Sequence, residues 1–281
     1  MSYPFSELPL VFFTTFIPLV GGTFIAIALA VLFGKLNDDQ IKTLDRFTFV
    51  PLVLLVIGVI GAFFHLTAPQ YVVYILVGFG ESPMSNEIAV TALLGLLIVA
   101  YLVVALLGKA SLLFRKIALI VIVAVAFVQA IFMGLAYYIN TIVSWANPWQ
   151  VIQMVGFVLM GCAVGALILH LANATDAGKS VKISAILVIS GLAVACISGC
   201  IHLYQVSGIE ELLVNGADVV AQVIPYGIIA LVCGIAGAIC CSMAYLKKNK
   251  TLFYGLAAGL VLLAIFFART VFYCVQIGVG L

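Results

Sequence analysis

Eleven of the twelve Lys and Arg residues in this 281-residue chain lie in short breaks between long apolar runs, and the twelfth, Arg269, lies inside one. An uninterrupted apolar run of about 20 residues has few alternatives to a membrane-crossing helix, because hydrocarbon leaves every backbone N–H and C=O to be paired within the segment. Eight runs qualify: roughly Leu8–Phe33, Phe47–Leu66, Glu87–Leu107, Ile117–Tyr138, Trp149–Leu171, Ile183–Gln205, Val219–Tyr245 and Leu252–Val275. At about 1.5 Å per residue each can cross a hydrocarbon layer of about 30 Å. Hydrophobic residues make up 66% of the chain and charged residues 8%, against about 45–50% and about 25% in a soluble domain. The runs do not alternate, which excludes a barrel. No basic stripe with interleaved aromatics points to nucleic acid. The expectation is an all-α integral membrane protein, a single eight-helix membrane domain over residues 1–281.

The basic residues then set the orientation. Lys35, Lys42 and Arg46 fall in the first connection, and Lys109, Arg115 and Lys116 in the third. Lys179 and Lys182 fall in the fifth, and Lys247, Lys248 and Lys250 in the seventh. The connections around 67–86, 139–148 and 206–218 hold no Lys or Arg. Lys and Arg resist translocation, so the odd connections are expected in the cytoplasm and both termini on the outer, periplasmic side. Residues 1–7 lack the basic start of a secretory leader, so the first run reads as a retained span. Trp145 and Trp149 are expected in an outer aromatic belt. The connection after the second span carries Pro69, Tyr71, Tyr74, Gly78, Gly80 and Pro83, and its middle, 71–77, reads as a short interfacial segment.

Polar side chains at membrane depth are the candidates for function. His65 ends the second span nineteen residues after Arg46, and Arg269 lies nineteen residues after Lys250. Both sit about 28 Å from the inner boundary at about 1.5 Å per residue. Glu87 opens the third span from the outer side, and His202, twenty residues after Lys182, reaches a similar level. His170 lies at the opposite end. Each has a plainer reading. Ser85-Asn86 before Glu87 reads as a helix cap with an acid in the first turn. His65 can snorkel at a helix end, and His202 and His170 can be packing residues. Arg269 resists such a reading, since about a dozen mostly apolar residues follow it. A carboxylate such as Glu87 is its expected partner.

An acid–base pair beside a guanidinium suits a weakly acidic, hydrogen-bonding head group with an apolar tail, and a quinol has that chemistry. Ligation of one haem by His65 and His202 is conceivable, but three histidines cannot hold two. Seven cysteines lie within apolar segments without a Cys-x-x-Cys pair, which reads as packing rather than as a zinc or iron–sulfur site.

Three stretches carry a resemblance: His65-Leu66-Thr67-Ala68-Pro69, Ser85-Asn86-Glu87-Ile88 and Ala268-Arg269-Thr270-Val271-Phe272-Tyr273. Together with Glu7-Leu8-Pro9-Leu10 and the small-residue-rich first span, they resemble the membrane anchor subunit of bacterial dimethyl sulfoxide reductase. The likeness extends over essentially the whole sequence in length, span layout and motif order. Thr67 stands where the family usually has Gly, and Ala268 stands where it usually has Gly before the arginine. The resemblance implies a haem-free, metal-free anchor in the bacterial cytoplasmic (inner) membrane that serves anaerobic respiration. It implies two partners, a molybdopterin catalytic subunit and an iron–sulfur subunit that receives electrons from menaquinol. It also implies that His65 and Glu87 act on the quinol, with Arg269 at the same site. In that mechanism His65 accepts a proton, Glu87 relays it outward, and Arg269 holds Glu87 ionised or contacts the quinone oxygen. A proton-coupled transporter and a passive scaffold are the competing readings.

Overall fold

The structure is a computed structural model that describes residues 7–66, 72–174, 179–211, 213–246 and 250–279. Thr67, Ala68, Pro69, Tyr71, Lys247 and Lys248, like residues 1–6, lie outside the described residues. Among those described, eight helical spans are long and apolar enough to cross a membrane, as expected.

The first, α1 (Leu8–Phe33), coincides with its sequence reading. The first connection does not, because it contains an unforeseen helix, α2 (Asp38–Phe47). Asn37 and Gln40 start it reciprocally: Asn37 Oδ1 accepts from Gln40 N at 2.8 Å, and Gln40 Oε1 accepts from Asn37 N at 3.0 Å. This capping box satisfies two otherwise orphaned donors. The polarity that reads as loop is one face of an amphipathic helix: Leu44 and Asp45 are buried, while Lys42 and Arg46 are exposed. After a break at Thr48 the backbone resumes as α3 (Phe49–His65). A short α4 (Val72–Ile75) and a 3-10 turn at Leu76–Gly78 occupy the segment expected to be interfacial.

The remaining spans are α5 (Pro83–Leu106), α6 (Leu112–Leu135), the pair α7 (Trp149–Met160) and α8 (Cys162–Leu171), α9 (Lys179–Ser207), α10 (Gly216–Leu246) and α11 (Lys250–Cys274). Their ends fall within a few residues of the expected ones. Most start earlier than expected, because helices run on through polar residues that hydropathy assigns to loops. Arg115 and Lys116, for example, lie at the start of α6.

α1 is the hub. It packs against α3, α6, α7, α8 and α11. Lipid tails are as apolar as Leu, so helices in a membrane are held by close backbone approach. Here small residues supply it. Gly22 of α1 sits against the backbone of Val158 and Gly161, and Gly165 sits against Thr23 and Ala26. A Cβ on Gly156 of α7 would lie 2.9 Å from Gly191 O of α9, so that seam also requires glycine. Around the hub runs a series of neighbours, α5–α6–α7–α9–α10–α11, while α3 leans mainly on α1. α3 and α5 touch only sparingly, and the bundle is open between them.

All four basic connections meet at one end. Gln40 Nε2 donates to Asn173 O at 2.6 Å, and His170 Nε2 lies 2.8 Å from Thr251 Oγ1. Asp45 is buried there and accepts from Tyr101 Oη (2.7 Å), Arg115 Nε (3.0 Å) and Arg115 Nη2 (2.7 Å). The opposite end is closed by the 136–148 connection, pinned to the residues beyond α11. Ile277 N donates to Ser144 Oγ at 2.9 Å, and Trp145 stacks on Phe272 at 5.0 Å. Trp145 is buried. The expectation of an interfacial belt is therefore corrected for this residue: its indole N–H reaches Phe272 O at 3.3 Å, and its ring plugs the bundle.

Candidate functional site

A cavity of about 1090 Å³ fills the opening between α3 and α5, at the end away from the basic connections. Its walls are mostly apolar, with Leu10 and Phe13 from α1, Val59 and Ala62 from α3, and Ile88 and Leu96 from α5. Phe63 and Leu96 line it and are 45% and 68% exposed, so its mouth opens on the outer face of the bundle, where lipid would lie. Among these apolar walls stand Glu7, His65, Glu87, Tyr137, Asn140 and Gln276.

Glu87 is placed by α5. That helix starts at Pro83, with Ser82 as its N-cap residue. Proline suits the first helical position because its missing N–H would be unpaired there. The capping role expected of Ser85-Asn86 is thereby corrected. Asn86 Oδ1 instead accepts from Gly80 N at 2.7 Å, closing a turn that Gly80 enters at φ +91°. Glu87 lies beyond the first turn and caps nothing. It is 5% exposed, and its Oε1 is buried without a donor among the described residues. A carboxyl group withdrawn from water with an oxygen left unpaired is costly, so this atom is a pointer to a ligand.

His65 is the last residue of α3. Its Nδ1 lies 3.3 Å from Glu7 Oε2, with side chains 37% and 27% exposed. The fold thus brings His65 and Glu87 to one cavity, and adds Glu7. Glu7 was not singled out in the sequence, although it opens the first span from the same side on which His65 ends the second. Applying the depth argument to acids as well as bases would have found it.

Arg269 is fully buried and is not among the cavity-lining residues. The expected ion pair with Glu87 is corrected: among the described residues, ion pairs within 4 Å are His65–Glu7 and Arg115–Asp45. Arg269 Nε donates to Thr14 Oγ1 and Nη1 to Gln150 Oε1, both at 2.9 Å. Its guanidinium carbon lies 4.2 Å from the Phe272 ring centre, 4.9 Å from that of Tyr273 and 5.4 Å from that of Tyr137. A desolvated contact of this kind is worth about 2 kcal/mol and helps to hold the charge without a carboxylate, while Nη2 is buried without a hydrogen-bond partner among the described residues. Tyr137 is the link to the site, since it borders the cavity on one side and Arg269 on the other. Thr14, Gln150 and Tyr137 carry no sequence signal, because only lateral packing makes them neighbours.

His202 is buried behind this layer, with Nδ1 2.9 Å from Asn147 Nδ2 and its ring against Phe272. It does not line the cavity beside His65. No group of three or more His, Cys, Asp or Glu side chains that could hold a metal occurs among the described residues.

The comparisons agree with the resemblance seen in the motifs. The family described as DMSO reductase anchor subunit (DmsC) matches residues 1–275. The protein is 26% identical over 275 residues to the C chain of anaerobic dimethyl sulfoxide reductase from Haemophilus influenzae, an alignment that spans 98% of this sequence and 96% of that one. It is 32% identical over 178 residues to the C chain of anaerobic dimethyl sulfoxide reductase from Escherichia coli, spanning 62% and 61%. It is 26% identical over 286 residues to the YnfH chain of anaerobic dimethyl sulfoxide reductase from Escherichia coli, spanning 100% and 99%. With eight membrane-length helices and a family match over nearly its whole length, this chain belongs to the DMSO reductase anchor subunit family.

Proposed function

We propose that this protein anchors a molybdopterin oxidoreductase of the dimethyl sulfoxide reductase type in the bacterial cytoplasmic membrane and binds menaquinol in the cavity between α3 and α5. The observation that carries the reading is the cavity's makeup: an apolar chamber open to the lipid face, with an unpaired buried carboxylate on one wall and a histidine on another. A quinol's tail enters from lipid, its ring fills apolar space, and its two hydroxyls need acceptors. His65 and Glu87 supply them. Arg269 stands behind Tyr137, which borders the cavity, and does not itself touch the substrate. Electrons pass to an iron–sulfur subunit, which in turn serves the catalytic subunit. Both partners dock on the outer side, where the cavity lies if the basic connections face the cytoplasm.

The test is titration of a fluorescent quinol-analogue inhibitor into membranes containing the assembled complex. Saturable quenching is expected for the unaltered protein, and its loss in His65→Ala and Glu87→Gln with assembly preserved. Equal quenching in all three would move the site elsewhere. Absence of quenching in all three, the unaltered protein included, would favour a passive anchor.

A further inference from the structure

The contact between Glu7 and His65 extends the quinol reading and rests on it. Glu7 immediately precedes α1 and is its N-cap residue, the position where an acidic side chain ordinarily accepts from the first backbone N–H groups. It does not do so here: the side chain makes no cap hydrogen bond, and only its backbone carbonyl is used, accepting from Val11 N at 3.0 Å. Glu7 Oε2 is instead buried against the His65 ring, 3.3 Å from Nδ1, at ion-pair distance but without hydrogen-bond alignment, and no other donor reaches it among the described residues. Both side chains line the cavity, on elements separate from the one that carries Glu87.

This arrangement has a chemical consequence. A carboxylate beside Nδ1 favours the tautomer with hydrogen on Nδ1, so the Nε2 lone pair is the one available to a ligand. The same carboxylate faces the ring when Nε2 takes a proton from the quinol, as in other acid-backed histidines. Oxidation of a hydroquinone breaks two O–H bonds, releasing two protons and two electrons. The electrons leave to the one-electron carrier of the partner subunit. Two separate acceptors let both protons leave without one site having to empty between transfers.

We propose that Glu7 is a positioning residue: its carboxylate orients and backs His65, so that the Glu7–His65 pair takes one quinol proton while Glu87 takes the other.

The experiment measures kcat and KM with a reduced naphthoquinone analogue in membranes holding the assembled complex. It compares the unaltered protein with Glu7→Gln, Glu7→Asp and His65→Ala. Glu7→Gln keeps the shape but not the charge. Its kcat is expected to fall about 10-fold to 100-fold, by analogy with the loss of the partner that orients a metal-bound histidine, while KM stays within about twofold. Glu7→Asp, still charged, is expected to retain more of kcat than Glu7→Gln. Unchanged kinetics in Glu7→Gln, or a loss confined to KM, would overturn the proposal. If Glu7→Gln does not assemble, Glu7→Asp decides. Its shorter side chain retreats from Nδ1, so kcat must drop several-fold at constant KM, and a kcat equal to the unaltered protein overturns the proposal. His65→Ala separates the two levels. If it is impaired and Glu7→Gln is not, only the role of Glu7 fails. If His65→Ala also turns over normally, the quinol site itself is wrong.

Discussion

Arg269 shows what a single residue reveals and conceals. Its place in an apolar run marks it, because transferring a charge to membrane depth costs several kcal/mol unless partners offset it. Its partners are not marked. Thr14 and Gln150 belong to α1 and α7, and only a planar fork reaches both. Arg269→Lys is therefore expected to leave one of them unpaired and to destabilise the detergent-purified protein by about 1–3 kcal/mol, read as a lowered melting temperature. Quinol-analogue affinity should change little, since Arg269 does not border the cavity. A loss of affinity at unchanged stability would restore Arg269 to direct contact with the ligand. At the other end, Asp45 joins Tyr101 and Arg115. Asp45→Asn strips a nearly buried guanidinium of its counter-charge and is expected to cost about 3 kcal/mol, visible as reduced yield of folded protein in the membrane.

Among the elements, α1 depends most on side-chain size. Its contact with the α7–α8 pair is close backbone approach at Gly22, Gly161 and Gly165, where even one methyl group has nowhere to go. Gly22→Ala is expected to lower the amount of assembled protein severely. Gly259→Ala, at a helix position with no neighbour within 4 Å, should stay within about 0.5 kcal/mol of the unaltered protein. Comparable losses in both would mean that the helices are not held by this seam. α2 makes the complementary point. Hydropathy alone files Asp38–Phe47 as a loop, whereas the capping residues Asn37 and Gln40 and the apolar spacing of one face were present in the sequence as a helix signal.

For the whole molecule, the segregation of charge is the dominant fact. The four basic connections converge at one end, and the cavity lies towards the other. The expected orientation is tested by labelling with a membrane-impermeant thiol reagent. A cysteine introduced at Glu211 should react in intact spheroplasts, and one at Ser111 only after the membrane is opened. The reverse pattern would turn the molecule over. If the cavity lies at the outer end, as proposed, with the oxidoreductase also outside, protons released and consumed lie on one side. Turnover in sealed vesicles should then translocate no net protons, and a pH-indicator signal for net outward movement would contradict this arrangement.

Span number, span length, alternation of charge and the shared end of His65 and Glu87 were all legible in the sequence by itself. These depend on transfer free energies summed along one dimension, and sequence order supplies that dimension directly. His65 and Glu87 could therefore be placed at one level before any helix was packed. Which side chains meet at that level was decided by tertiary structure alone. His65 faces Glu7, Arg269 faces Thr14 and Gln150, and Glu87 is left open to the cavity. The physical reason is that the order and tilt of helices around a bundle follow from close packing between segments far apart in sequence. At Gly22 and Gly161 that packing brings two backbones together, and between α3 and α5 its sparseness leaves the chamber.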